Sequence, residues 1–194
     1  MDDRQNLNPP PVLTQILRES EALNFRMASD MLTGSLLRTL AATKPAGNFL
    51  EIGTGTGLAT AWLLSGMDQE SQLISIEQDA SVIEVARKYL GDDRRVTFYI
   101  EDAGQWLERF SDYQFDLIFA DAWPGKYSHL EKALSLLKPG GMYVIDDMLP
   151  QPSWPEGHSA KVEALIAMLE QRSDLLLTKM GWSTGIIVAV KVSL

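Results

Sequence analysis

"FLEIGTGTGLAT", residues 49–60, places glycines at 53, 55 and 57 directly behind a short apolar run that carries Glu51. An apolar run closed by alternating glycines reads as a strand turning sharply into a helix. Glycine is needed there because the backbone must turn tightly and let a ligand approach with no Cβ in the way. The spacing narrows the ligand. A dinucleotide fingerprint runs G-x-G-x-x-G, whereas here the third glycine comes one residue early and position 58 is Leu. A phosphate loop requires a lysine after its last glycine, and none follows. Glu51 in front of the glycines is unsuited to a pyrophosphate and suited to a cation.

Outward from this stretch, short apolar runs alternate with helical patterns. The runs are "NFLEIG", "QLISIE", "VTFYIE", "FDLIFADA" and "GMYVIDD", separated by helix-like segments at 58–67, 80–90, 103–110 and 129–137. Five β–α steps of nearly all-apolar strands predict a parallel, doubly wound sheet buried on both faces. "LKPGG" at 137–141 predicts a helix stop and a turn into the fifth strand. Before the sheet, helices are predicted at 12–24, behind Pro9, Pro10 and Pro11, and at 29–43, ending at Lys44-Pro45. After it, a helix at 160–172 leads to two closing strands, 175–178 and "GIIVAVKV". Trp62 and Trp106, set within helical segments, read as core. One domain is expected over residues 1–194, with helices of 1–44 covering a cofactor and an α/β core at 45–194.

The totals exclude several classes. A net charge of −9 and a sequence pI of about 4.7 oppose an obligatory nucleic-acid or anionic-lipid partner. The chain has no cysteine, hence no disulfide, thiolate nucleophile or thiolate zinc site. The polar start "MDDRQNLNPPPV" does not read as a signal peptide, and no apolar run reaches the ~18 residues of a membrane span. A soluble, cytoplasmic protein is expected.

Acids close successive strands: Glu51, Glu77, Asp102, Asp121, Asp146 and Asp147. One acid at a strand end commonly caps the next helix; a series in phase points to the crevice beyond the carboxyl ends, where open α/β sheets bind ligands. Glu77 ends the second strand, where a carboxylate can accept both ribose hydroxyls. S-adenosylmethionine (SAM) suits both early acids: it has a ribose, an ammonium and a charged sulfur, and no phosphate.

At these residues the chain resembles the class I SAM-dependent methyltransferases, and more narrowly the small-molecule O-methyltransferases of the catechol and caffeoyl-CoA type. The resemblance runs from Met27 to Lys191. It implies a Rossmann-like α/β fold, with a mostly parallel seven-stranded sheet, helices on both faces and an antiparallel last strand. "MASDMLTG" (27–34), with Ser29, resembles the segment laid over the cofactor. "LEIGTGTG" implies Glu51, Gly53, Thr54, Gly55 and Gly57 at the methionine end. "SIEQD" implies Glu77 and Gln78 at the ribose, and "EDAGQWL" implies Asp102 and Ala103 at the adenine. Asp121 is implied beside the cofactor as well.

The resemblance also implies a divalent cation, Mg²⁺ or else Mn²⁺ or Ca²⁺, held by Asp121, Asp146 and Asp147, a hard oxygen set. Two departures stand out. The family usually ends the fifth strand in Asp-Asn, where this chain has Asp146-Asp147. Its general-base lysine sits three residues after the first metal Asp, where this chain has Pro124, with Lys126 two residues further on. The candidate catalytic residues are therefore Asp121, Lys126 and His158, the last titrating near neutrality. Trp123, Tyr127 and Trp154 are candidate walls for a small, phenolic or catechol-like acceptor. Alternatives are a metal-independent N- or C-methyltransferase, an aminopropyl transferase, and a SAM-binding protein without catalysis. The family's bacterial members are often dimers, which implies a homodimer.

Overall fold

The computed structural model describes residues 2–152 and 154–193. Seven strands form one sheet in the order β3-β2-β1-β4-β5-β7-β6. They are β1 (Asn48–Ile52), β2 (Gln72–Glu77), β3 (Val96–Ile100), β4 (Phe115–Ala120), β5 (Leu137–Ile145), β6 (Leu175–Met180) and β7 (Ile186–Lys191). β1 to β5 pair in parallel, and β7 runs antiparallel to both β5 and β6. Strand order reverses between β1 and β4, so their carboxyl ends flank the crevice such a switch creates.

The helices are α1 (Leu13–Ala22), α2 (Met31–Ala42), α3 (Leu58–Gly66), α4 (Ala80–Leu90), α5 (Ala103–Arg109), α6 (Leu130–Ser135) and α7 (His158–Glu170). Alternation along the strands sorts the core into two layers. Leu50, Ile52 and Ile118 pack with Trp106 of α5, Ala133 of α6 and Leu165 of α7. Phe49, Leu117 and Phe119 pack with Ile16 of α1, Leu37 of α2, Trp62 of α3 and Val85 of α4. Trp62 and Trp106 are buried as expected of core residues. No helix among the described residues is long and apolar enough to cross a membrane.

Three local differences from the sequence reading matter. "LKPGG" does not precede β5 but lies inside it. Leu137 pairs with Phe115 and Met142 with Leu117, so the intervening residues bulge out where Gly140 takes φ 77°. Helix α7 begins at His158, two residues early, which puts that imidazole in a first helical turn and buries it. The N-terminal helices themselves dock on α3 and α4; it is the link between them, with Phe25 and Ala28, that reaches over the glycine loop.

Close helix contact fixes that docking. A Cβ built on Gly34 of α2 would lie 2.1 Å from the Trp62 ring of α3. Gly34→Ala should therefore force the indole aside and destabilise the fold by about 1–3 kcal/mol, the cost of overpacking a filled core. The expected result is a lower urea midpoint with an unchanged m-value, read by tryptophan fluorescence.

Candidate active site

β1 delivers the chain into the glycine loop at Ile52. Gly53 takes φ +100°, and a Cβ there would come 2.9 Å from the Asp121 carbonyl oxygen. Gly57 takes φ +93° with its would-be Cβ 2.7 Å from Ala86. Side chains are thus excluded at both ends of the loop, by the turn after β4 and by α4 respectively. The loop is tied to β2 as well: the amides of Gly53 and Thr54 donate to the Ile76 carbonyl at 3.0 and 3.1 Å. The Gly55 amide donates to Glu77 Oε2 at 3.0 Å, while Glu77 Oε1 accepts from the amides of Gln78 and Asp79. Two backbone amides therefore tie the loop after β1 to the β2 backbone, and three more brace the carboxylate at the end of β2.

Between these parts lies a cavity of about 410 Å³. Ser29, Gly53, Thr54, Gly55, Glu77, Gln78 and Asp121 all line it, as expected from the sequence. Four expected residues do not. Gly57 packs on α4 as described. Asp102 caps α5, accepting from the Gln105 amide at 2.9 Å, and Ala103 is buried in the core behind it. Glu51 is fully buried, with its carboxyl bonded to the hydroxyls of Thr60 and Ser75 and its Oε1 without a protein partner. Burial pushes its pKa up to about 8, against the lowering effect of those two hydroxyls. Its carboxyl lies beneath the loop and does not line the cavity. Phe25, whose ring sits over Gly55, was not found from sequence, because nothing in the pattern marks an exposed link as a wall.

A second cavity, of about 280 Å³, adjoins the first. The two share Met27, Ala28, Ser29, Asp121, Ala122 and Trp123. The second is walled by Lys126, Tyr127, Asp146, Asp147, Trp154 and His158, so the sequence candidates do converge. Thr184, from the turn between β6 and β7, lines it too and carried no sequence signal. A larger space of about 480 Å³ opens at the amino ends of the strands, beside Asn48 and Gln72, away from every strand-end acid.

Lys126 is aimed into the second cavity by a pinned turn. The amides of Lys126 and Tyr127 donate to the Trp123 carbonyl, and the buried Tyr143 hydroxyl of β5 donates to the Gly125 carbonyl at 2.7 Å. Gly125, at φ +85°, permits that turn. The Lys126 ammonium, 5% exposed, lies 3.0 Å from Asp121 Oδ1 and 2.8 Å from the Asp146 carbonyl. Asp121 Oδ2 accepts from Ser29 at 3.1 Å. Asp146 is buried, and its Oδ1 accepts from Thr184 and from the Asp147 amide. Burial, then the charge of Asp121, pushes the Asp146 pKa up to about 7. Asp147, at φ 62°, turns Oδ2 to the Trp154 indole N–H at 2.9 Å, and burial raises its pKa too.

The remaining wall is aromatic. The His158 ring lies 4.4 Å from Trp154 and 5.2 Å from Tyr127, centroid to centroid. Its Nε2 shares a 3.1 Å hydrogen bond with the Tyr127 hydroxyl, and its buried Nδ1 has no protein partner. Burial, then the charges of Asp147 and Asp121, pushes the Tyr127 pKa up to about 12, so the phenol keeps its proton at neutral pH.

These contacts do not fit a resident divalent cation. No three His, Cys, Asp or Glu side chains among the described residues gather as a metal-holding group. Of the three carboxylates expected to do so, Asp121 faces an ammonium, Asp146 a hydroxyl and an amide, and Asp147 an indole.

Comparison with known proteins agrees with the fold. Residues 7–178 match the O-methyltransferase family, and the chain belongs to it. It is 31% identical over 144 residues to a catechol O-methyltransferase of Mycobacterium tuberculosis, covering 72% of this chain and 66% of that protein. Against some mycobacterial relatives, including one from Mycolicibacterium vanbaalenii at 32% identity over 117 residues, the chain spans about half the relative's length, 52%. Among solved structures, it is similar to the SAM complex of the O-methyltransferase TomG from Streptomyces achromogenes, involved in tomaymycin synthesis. That match has a TM-score of 0.83 and 26% identity, covering 97% of this chain and 93% of the other. It is also similar to the cofactor-bound Rv0187 from MTB, with a TM-score of 0.85, 25% identity and the same coverage of 97% and 93%.

The state of Glu51 has a measurable consequence. The unfolded chain releases this proton near 4.5 and the folded chain near 8. The folded state therefore holds more protons between those values, and stability falls as pH rises through that window, by roughly 5 kcal/mol at most. Glu51→Gln lacks the titration. Its stability relative to the parent should climb steadily from about pH 5 to about pH 8 in urea melts; a constant difference would mean that Glu51 ionises normally in the folded state.

Proposed function

We propose that this member of the O-methyltransferase family is a SAM-dependent enzyme that methylates a hydroxyl on a small, planar, ring-bearing acceptor. The observation that carries the reading is the pair of adjoining cavities, one framed by the glycine loop and Glu77, the other by Lys126 and an aromatic wall, meeting at Asp121–Trp123. When bound, SAM supplies a sulfonium methyl for in-line displacement. The donor set fits it: Glu77 stands at the end of β2 for the ribose hydroxyls, and the glycine loop leaves open backbone for the methionine end. Ser29 and the Met27–Ala28 link close over the junction. Phosphate-bearing cofactors find no lysine or arginine on the loop.

The acceptor ring lies against Trp123, Tyr127 and Trp154, whose faces offer stacking and edge contacts of about 0.5–1.5 kcal/mol each. Its hydroxyl oxygen sits beside the Lys126 ammonium, which stabilises the negative charge that develops there. Asp121 positions that ammonium. The hydroxyl proton passes to Tyr127 as Tyr127 gives its own to His158 Nε2. SAM held by Glu77 and the glycine loop would supply the methyl to that oxygen, the electron pair of its S–CH₃ bond remaining on sulfur. Fixed placement of the two partners supplies much of the acceleration, as in other two-substrate transfers.

Calorimetry with SAM and its demethylated product, followed by a screen of hydroxylated aromatic acceptors, tests the reading. Micromolar binding and methylation of at least one phenol are expected; absence of binding by either ligand overturns it. His158→Gln should lower kcat by about 10²–10⁴-fold, the usual worth of a positioned proton acceptor, with product affinity unchanged. Glu77→Ala should instead weaken the binding of the demethylated product by roughly tenfold or more, since hydrogen bonds to a charged group are worth about 1.5–3 kcal/mol.

A further inference from the structure

We infer that Lys126 supplies, as a fixed ammonium, the positive charge at the acceptor oxygen that the resemblance assigns to a divalent cation, so that ammonium and metal are mutually exclusive occupants of one carboxylate pocket. The inference rests on the proposed methyl-transfer reading for its role in turnover. Its structural half stands alone.

Three observations carry it. First, the ammonium is built into the site. Lys126 is 5% exposed, and its aim is set by the turn that the Tyr143 hydroxyl anchors from β5. Two of its three N–H donors are used, on Asp121 Oδ1 and the Asp146 carbonyl. The third has no partner among the described residues and belongs to a side chain lining the acceptor cavity. Second, the two oxygens that hold the ammonium come from residues assigned to the metal, so a divalent ion on that pair would meet a buried like charge at bonding distance. Third, one oxygen of each of the other two carboxylates is engaged elsewhere. Asp146 Oδ1 takes the Thr184 hydroxyl and the Asp147 amide, and Asp147 Oδ2 takes the Trp154 indole.

The substitution of position also has a chemical logic. Position 124, where the resemblance places the lysine, is Pro124 and lines the first cavity, whereas Lys126, two residues on, lines the second. A monovalent, three-donor cation can hold one acceptor oxygen while staying bonded to Asp121. It cannot chelate two. The site therefore suits a single hydroxyl and does not require a vicinal diol.

The test is a titration with Mn²⁺, followed by electron paramagnetic resonance and calorimetry, on the full chain and on Lys126→Ala and Lys126→Met. The parent should show no site at millimolar Mn²⁺. Each variant, its fold checked by thermal melting, should gain one site at least roughly tenfold tighter, because Asp121 is left buried without its counter-charge. Stoichiometric Mn²⁺ on the parent overturns the inference, as does failure of both folded variants to gain a site. Turnover by the parent should be unaffected by chelator, and loss of turnover restored by Mg²⁺ would equally overturn it. Binding of the demethylated product, measured in parallel without acceptor, shows separately whether the methyl-transfer reading itself fails.

Discussion

The contact between the Asp121 carboxylate and the Lys126 ammonium is the joint on which the site depends. Asp121 follows β4, at the edge of the reversal in strand order, and its backbone carbonyl presses on Gly53 while its side chain divides two cavities. One carboxylate oxygen takes Lys126 and the other takes Ser29 from the N-terminal link. A single residue thus connects the glycine loop, the covering segment and the acceptor wall. Burying such a pair costs desolvation that its attraction alone seldom repays. Here the remaining donors and acceptors are largely satisfied, by the Asp146 carbonyl and by Ser29, which is the condition under which a buried pair is tolerated.

The main lines of the fold were legible in the sequence because a parallel sheet buried on both faces writes itself as near-continuous apolar runs. "DLIFADA" has no other comfortable environment. The glycine loop was legible for a related reason: the residues that must lack a Cβ are fixed by packing against Asp121 and Ala86, so they appear as letters in the chain. Four of the six strand-end acids line the two cavities, and the two that do not depart in a patterned way. All six do end strands, but Asp102 spends its carboxylate on the first turn of α5, as short acids after a strand often do. Glu51 points into the layer between β1, β2 and α3, where Ser75 and Thr60 meet it. Position along a strand was readable. The face to which a terminal side chain turns depends on partners from other elements.

Lys126 illustrates the same limit more sharply. "WPGKY" reads locally as a loose turn, and a lysine two residues beyond proline has no evident target. The aim comes from β5, through one hydroxyl on Tyr143 that clamps the Gly125 carbonyl. Nothing near residue 126 records that clamp. Likewise "LKPGG" carries every mark of a helix stop, and the structure nonetheless pairs Leu137 into the sheet before letting the chain bulge and rejoin at Met142. Local turn chemistry was read correctly in both places. Tertiary pairing decided what the turn was used for.

The doubled acid after β5 then acquires a physical sense. Were both Asp146 and Asp147 ionised beside Asp121, three negative charges would face one ammonium in a partly dry pocket. The structure relieves this by separating the groups' tasks. Asp146 is buried, which pushes its pKa up, and its carbonyl serves Lys126. Asp147 adopts a left-handed backbone that swings its carboxylate toward Trp154, holding the indole as a wall of the acceptor space. The first acid therefore contributes through its backbone and the second through a hydrogen bond to an aromatic ring. That division leaves Asp121 as the carboxylate that Lys126 faces directly, while the Asp146 side chain bonds to Thr184 and the Asp147 carboxylate bonds to Trp154.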